Sequence, residues 1–203
     1  MGNANDRTIQ AYQDHVEEYI NDDTPQSVEG GVKEWLDLAV ASLSTDARIF
    51  EFGSGPGRDA AYLQGLGFRV ECSDAAPAFV EMLKNKGLAA RKLNAITDDL
   101  GGPYDLVLAN AVLLHFTPDE LDKVLGKVFA ALKPGGRFAF SVKQGQGEEW
   151  TDYKISSPRY LHYYTEQDLR IYLKQAGLIA SNAEHVKTKR STWIHVIATK
   201  PQS

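Results

Sequence analysis

Apolar positions along this chain switch between two periods. Through the middle, short apolar or alternating runs are followed by stretches in which apolar residues recur every three or four positions. The first pattern predicts strands and the second predicts helices with one buried face. Ile49, Phe50 and Phe52 predict a first strand, and Ala60, Ala61, Leu63 and Leu66 a helix behind it. Phe68 to Cys72 predicts a second strand ending at Ser73 and Asp74, with Pro77 to Lys84 as the next helix. Leu88 to Leu93 is a third, less apolar strand. Tyr104 to Ala109 is a continuous apolar run, as in a buried parallel sheet. Thr117-Pro118-Asp119-Glu120 opens a helix, with threonine at the cap, proline at the first position and glutamate three after the cap. Lys133-Pro134-Gly135-Gly136 stops it. Phe138 to Val142 follows as a fifth strand. Thr165 caps a helix through Ala176, and Ala183 to Val186 with Trp193 to Thr199 predict a terminal hairpin.

Two helical segments precede the first strand. Residues 7–21 carry Ile9, Tyr12, Val16, Tyr19 and Ile20 on or near one face. Asn21 to Pro25 breaks that helix, and a second runs from Ser27 to Leu43 with Trp35 and Leu36 apolar. Residues 1–45 therefore form a helical cap region, either a lid or a packed extension, on a core spanning 46–203. Alternating strands and helices closed by a hairpin define a single three-layer α/β domain, doubly wound around a mostly parallel sheet. Lys143 to Tyr164 is a long polar and aromatic connection at the sheet's carboxyl edge, where such connections often carry function.

Composition narrows the partners. The chain has 203 residues, enough for one full core, with 43% hydrophobic and 24% charged residues. A net charge of −5 argues against broad binding of a nucleic-acid backbone. The single cysteine, Cys72, can form no internal disulfide, and no Cys/His spacing for a metal is present. The polar start MGNANDR has no apolar signal region, and no apolar run approaches membrane-spanning length. The expectation is a cytoplasmic protein without nucleic-acid, membrane or metal partners.

The chemistry concentrates in EFGSGPG, Glu51 to Gly57. A strand-to-helix turn this rich in glycine adopts backbone angles that other residues resist, and lets a ligand lie against the main chain. The helix N-terminus beyond it favours anionic ligand groups. A dinucleotide fingerprint needs G-x-G-x-x-G, but Arg58 stands where its last glycine would fall. With Glu51 two residues before the first glycine, the spacing favours S-adenosylmethionine (SAM) over NAD. Asp74 lies 17 residues after Gly57, just past the second strand. An acid there can accept both ribose hydroxyls of an adenosine ligand, or it can cap the following helix.

EFGSGPG with Asp74, then YDLVLANAVLLHF, then LKPGGRFAFSVKQG, resembles the class I SAM-dependent methyltransferases over roughly Trp35 to Pro201. The resemblance implies a Rossmann-like seven-stranded sheet whose last strand is antiparallel, SAM as cofactor, and methyl transfer as the reaction. It implies that Glu51, Gly53, Ser54, Gly55 and Gly57 hold the methionine part, with Arg58 near its carboxylate. Asp74 would take the ribose and Ala75 would lie beside the adenine. Asn94-Ala95-Ile96 stands where many members place an aspartate against the adenine amine. Asparagine departs from that pattern, so its carbonyl or the Ala95 backbone must do that work. Asn110 and Ala111 match the segment that passes the methyl donor. Tyr12 and Tyr19 resemble the tyrosines of the family's N-terminal cap helix.

Methyl transfer from a sulfonium requires in-line positioning and exclusion of water. A base is needed only for a nucleophile whose proton has a high pKa. His115, after the fourth strand, is a candidate base; the alternative is that it packs beside the cofactor. No Asn-Pro-Pro-Tyr run follows the fourth strand, so adenine-N6 or glutamine methylation is not indicated, and a small-molecule acceptor is the residual choice. Tyr12, Tyr19, Lys143, Trp150, Arg159 and Tyr163 are candidate acceptor-binding residues; the alternative is that these aromatics pack the connection onto the sheet. Three other functions share the glycine loop: a non-catalytic SAM-binding regulator, an NAD-dependent oxidoreductase, and a protein or RNA methyltransferase. The loop spacing disfavours the oxidoreductase, and the protein or RNA enzyme would usually carry a basic face or an added recognition domain.

Overall fold

The structure is a computed structural model that describes residues 3–21 and 31–202. Its strands are β1 (Ile49–Phe52), β2 (Val70–Asp74), β3 (Ala90–Lys92), β4 (Tyr104–Asn110), β5 (Leu132–Lys143), β6 (Glu148–Thr151), β7 (Arg159–His162), β8 (Ile179–Lys187) and β9 (Thr192–Thr199). Its helices are α1 (Ala4–Asp14), α2 (Val16–Asn21), α3 (Val32–Val40), α4 (Arg58–Gly65), α5 (Pro77–Asn85), α6 (Pro118–Ala131) and α7 (Glu166–Gln175). Seven strands form one sheet in the order β3-β2-β1-β4-β5-β9-β8. The first five pair in parallel, and β9 runs antiparallel to both its neighbours. This is the seven-stranded, mostly parallel sheet with a C-terminal antiparallel hairpin. Strand order reverses between β1 and β4, which opens a crevice at the carboxyl ends of those strands.

Both faces of the sheet are buried, so its central strands are apolar at consecutive positions. Phe50, Phe52, Val107, Phe138 and Phe140 pack beneath Leu121, Val124, Leu125 and Val128 of α6 and Leu169 and Leu173 of α7. Ile49, Leu106, Leu108 and Ala139 face the other way, against Trp35 and Leu36 of α3 and Ala60 and Leu63 of α4. The predicted capping box at Thr117 and Glu120 forms, and a second closes at Thr165 and Asp168. No helix of the described residues is long and apolar enough to cross a membrane.

The N-terminal region differs from expectation. The predicted helix over 7–21 is two helices, α1 and α2, separated at His15. The buried residues of α1 are Asn5, Thr8 and Ala11, a largely polar face that apolar periodicity does not register. Part of the segment read as a break, and Ser27 to Gly30 of the next predicted helix, lie outside the described residues. The rest of that helix, α3, packs against the sheet, as the packed extension expected of it would. Trp35 is only 1% exposed, and its indole N–H donates to the Val196 carbonyl at 3.3 Å.

The Lys143–Tyr164 connection is also more regular than its polarity implies. β6 and β7 pair antiparallel in a separate two-stranded sheet. Tyr160 and Leu161 are buried, whereas Glu148, Glu149 and Trp150 are exposed, and that surplus of polar residues hid the strands. Elsewhere β3 is shorter than predicted, β5 extends back through the proline-glycine turn to Leu132, and the hairpin strands are longer.

Replacing Trp35 with alanine should cost about 3–5 kcal/mol, the range for deleting a large buried aromatic. Chemical denaturation measures it; a loss below about 1 kcal/mol would mean that α3 is peripheral after all.

Candidate active site

The loops after β1, β2, β3 and β4 converge on one cavity, and α1 supplies a further wall. Gly53 and Gly55, Asp74 to Ala76, Asn94 and Ala95, and Asn110 to Val112 line it from the sheet side. Asn5, Thr8, Tyr12 and Tyr19 line it from the N-terminal helices. The cavity has a volume of about 110 Å³ and opens to solvent.

The three loop glycines all have positive φ but serve different ends. A β-carbon on Gly53 would fall 2.4 Å from Val112, and one on Gly57 would fall 2.6 Å from Leu83. Those two glycines permit close packing. A β-carbon on Gly55 would meet nothing within 4 Å, so only this glycine keeps its face clear toward the cavity. Asp74 ties the loop to the turn after β2. Its carboxylate accepts the Gly55 N–H and the Ala76 N–H, each at 2.9 Å. Asp74 thus faces the cavity and also organises the start of α5. Burial pushes its carboxyl up to about 6, against the lowering effect of these N–H donors.

Two more acids are buried near the loop. Glu51 is 2% exposed, lies outside the cavity lining, and one of its carboxyl oxygens has no partner. Burial, then the charges of Asp59 and Asp74, push Glu51 up to about 8, so it holds a proton at neutral pH. Asp59 is also raised by burial, but it accepts the Asn110 side-chain amide at 2.8 Å. The Asn110 carbonyl in turn accepts the Ser141 hydroxyl, whose oxygen accepts the Ala111 N–H at 2.9 Å. This network holds Ala111 at a φ of 57°, a left-handed conformation that is strained for alanine.

Across the cavity, Arg159 donates to the Tyr12 hydroxyl oxygen at 3.0 Å. Tyr12 and His115 Nε2 are 2.9 Å apart, and His115 Nδ1 lies 2.8 Å from the Tyr160 carbonyl. A carbonyl only accepts, so Nδ1 carries the proton and Nε2 accepts from Tyr12. Burial pushes His115 down to about 3, and the nearby cations Arg159, Lys143 and Lys154 lower it further. Tyr12, Tyr19 and Phe79 form an aromatic group with ring centroids 5.4 to 6.2 Å apart.

Of the residues singled out in the sequence, Gly53, Gly55, Asp74, Ala75, Asn94, Ala95, Asn110, Ala111, Tyr12, Tyr19 and His115 meet at the cavity. Glu51, Ser54, Gly57, Arg58, Ile96, Lys143, Trp150, Arg159 and Tyr163 do not line it. The Ser54 hydroxyl accepts the Ser73 N–H and donates to the Glu51 carbonyl, each at 3.3 Å. Trp150 is 40% exposed beneath the Arg7 guanidinium, and the Tyr163 hydroxyl donates to Glu149. Arg159 reaches the cavity only through Tyr12. Asn94 has both ends of its carboxamide engaged, donating to Asn5 at 2.8 Å and accepting the Ile96 N–H at 3.0 Å. The sequence reading missed Asn5, Thr8, Phe79, Val112 and Phe116. The signal for the first two was the polar spacing Asn5, Thr8, Tyr12 along one helix face.

An open α/β sheet with a glycine loop, an acid after its second strand and a cavity at the switch point belongs to the class of nucleotide-type ligand binders. Comparisons with known proteins give the family. A family model described as a methyltransferase domain matches residues 26–180. An uncharacterized methyltransferase of Synechocystis sp. is 30% identical over 107 residues, covering 51% of this chain and 50% of that protein. The chain thus spans about half the length of the curated relative it matches. Among solved structures, the Burkholderia thailandensis 1,6-didemethyltoxoflavin-N1-methyltransferase, with 1,6-didemethyltoxoflavin and S-adenosylhomocysteine bound, superposes with a TM-score of 0.75 at 22% identity. The match covers 99% of this chain and 92% of that one. Magnesium protoporphyrin IX methyltransferase from Synechocystis, with SAM bound, superposes with a TM-score of 0.67 at 18% identity over 98% of this chain and 85% of that one. The chain belongs to the methyltransferase-domain family, and its fold is that of the class I SAM-dependent enzymes.

The raised Glu51 carboxyl has a stability consequence. Between its ordinary value of 4.5 and about 8, the folded protein holds a proton that the unfolded chain has released. Stability should therefore fall as pH rises through that window and level off above it. Glu51→Gln, which keeps the uncharged shape, should flatten the dependence in urea titrations across the same range. An unchanged pH profile in the variant would show that Glu51 ionises normally.

Proposed function

We propose that this protein is a SAM-dependent methyltransferase acting on a small-molecule acceptor. The observation that carries this reading is the pairing of Gly55 and Asp74 at the cavity wall. Gly55 presents bare main chain to open space, and the Asp74 carboxylate beside it is held by two backbone donors. A carboxylate offers about four lone-pair sites, which leaves acceptor capacity for a ribose diol. Gly53, Ala75, Asn94, Ala95, Asn110 and Ala111 extend the same wall and would hold the rest of the cofactor. Bound SAM would supply a methyl group already activated by its sulfonium charge.

The protein's own residues then bind, orient and shield. Tyr12, Tyr19 and Phe79 surround the acceptor side with rings and exclude water. His115 orients Tyr12 in this reading and does not act as a base, because Nδ1–H is committed to the Tyr160 carbonyl and burial opposes protonation of Nε2. A small acceptor is supported by the Burkholderia and Synechocystis structural neighbours, whose named acceptors are small molecules.

Calorimetric titration with SAM, S-adenosylhomocysteine and NADH tests the reading. S-adenosyl ligands should bind and NADH should not. Gly55→Val should abolish binding by filling the open face, and Asp74→Ala should weaken it by about 2–3 kcal/mol, the scale for hydrogen bonds to a charged group. Since the ligand needs the ionised carboxylate, affinity should fall as pH drops through about 6, and Asp74→Asn should remove that dependence. Normal binding by folded Gly55→Val and Asp74→Ala would overturn the assignment. Release of S-adenosylhomocysteine from pools of small metabolites then separates an enzyme from a non-catalytic binder.

A further inference from the structure

We propose that the acceptor enters this site as an anion, its charge balanced by Arg159 from behind Tyr12, and is not deprotonated by a protein base. The inference rests on the methyltransferase reading and extends it to the class of substrate.

Arg159 is the central observation. It is 5% exposed, and its Nε is buried without a hydrogen-bond partner. Its recorded contacts are to Tyr12: Nη1 donates to the hydroxyl at 3.0 Å, and the guanidinium lies 5.4 Å from the ring centroid. No ion pair among the described residues includes it. A guanidinium cannot shed its charge, so burying one without a counter-anion is costly. Further positive charge lies on the same side. Lys143 is half-buried, and its ammonium is pushed down by burial first and by Arg159 second, against the raising effect of the Glu149 charge. Lys154 sits 3.8 Å from the centroid of the Tyr19 ring.

Asp74 lines the wall that would hold a cationic sulfonium donor, and Arg159 stands behind Tyr12 on the side of His115. That side also lacks a working base. Both His115 nitrogens are engaged in the Tyr12 and Tyr160 bonds, and a proton taken up there would stand among like charges. A nucleophile that arrives ionised removes the need for one. The aromatic walls fit a ring, so the class is a small aromatic or heteroaromatic acid whose nucleophilic oxygen or nitrogen is ionised near neutral pH. In the transfer, the anion's lone pair forms the new bond to the methyl carbon as the carbon–sulfur bond breaks. That bonding pair stays on sulfur, the negative and positive charges cancel, and no proton moves.

The test uses the full chain saturated with S-adenosylhomocysteine and the ring-matched probes benzoate and benzamide, titrated by ligand-observed NMR near neutral pH. Benzoate should bind roughly tenfold or more tightly than benzamide, and the preference should collapse in Arg159→Met while S-adenosylhomocysteine affinity stays within about twofold. Arg159→Lys, which keeps the charge, should retain part of the preference. A wild-type protein with no preference for benzoate, including one that binds neither probe, overturns the inference, as does a preference that survives Arg159→Met. If Arg159→Met does not fold, the wild-type ratio and its retention in Arg159→Lys decide alone. Failure of S-adenosylhomocysteine to bind is seen before any probe is added; it removes the methyltransferase reading and this inference together.

Discussion

Three carboxyl groups, Glu51, Asp59 and Asp74, are buried around one glycine loop, and much of the site is arranged to accommodate them. An isolated buried carboxylate is expensive, so each needs a donor or a proton. Asp74 takes the Gly55 and Ala76 N–H groups. Asp59 takes the Asn110 amide, which brings in Ser141 and through it the strained Ala111. Glu51, with an unpartnered oxygen, keeps its proton. Two of the three solutions immobilise a piece of main chain that faces the cavity, so the same bonds that relieve burial also shape the wall.

The opposite side is built differently. α1 and α2 meet the β6–β7 hairpin through polar bonds rather than a broad apolar seam. The Tyr160 N–H donates to the Thr8 hydroxyl at 3.1 Å, and Ser156 donates to Glu18 through both N–H and hydroxyl. Tyr12 then links α1 to His115 and to Arg159 of β7. One tyrosine therefore joins the N-terminal helix, the turn after β4 and the hairpin. Those three elements come from distant parts of the chain, and Tyr12 ties them together by directional contacts.

Much of the parallel frame follows from local pattern. Consecutive apolar residues in Ile49–Phe52 and Tyr104–Ala109 require burial on both faces, and glycines with proline mark the turns between elements. Thr117 with Glu120 determines where α6 begins whatever packs around it. The glycine loop and Asp74 were legible because backbone angle and position after a strand are local properties. By contrast, β6 and β7 carry too many polar residues for periodicity to stand out, and the buried side of α1 is polar because it faces a cavity and not a core.

Residue spacing along one stretch is enough for the sheet, the loop and the acid beside it. Which of the three loop glycines has a clear face depends on the packing of distant segments. Gly53 and Gly57 are crowded by Val112 and Leu83, which lie far from them in the chain, and Gly55 is not. Tertiary structure likewise committed both nitrogens of His115, left Arg159 buried without a carboxylate among the described residues, and kept Trp150 and Tyr163 off the cavity. Charge, burial and hydrogen bonding at those residues depend on neighbours tens of positions away or more, and no local pattern encodes that proximity.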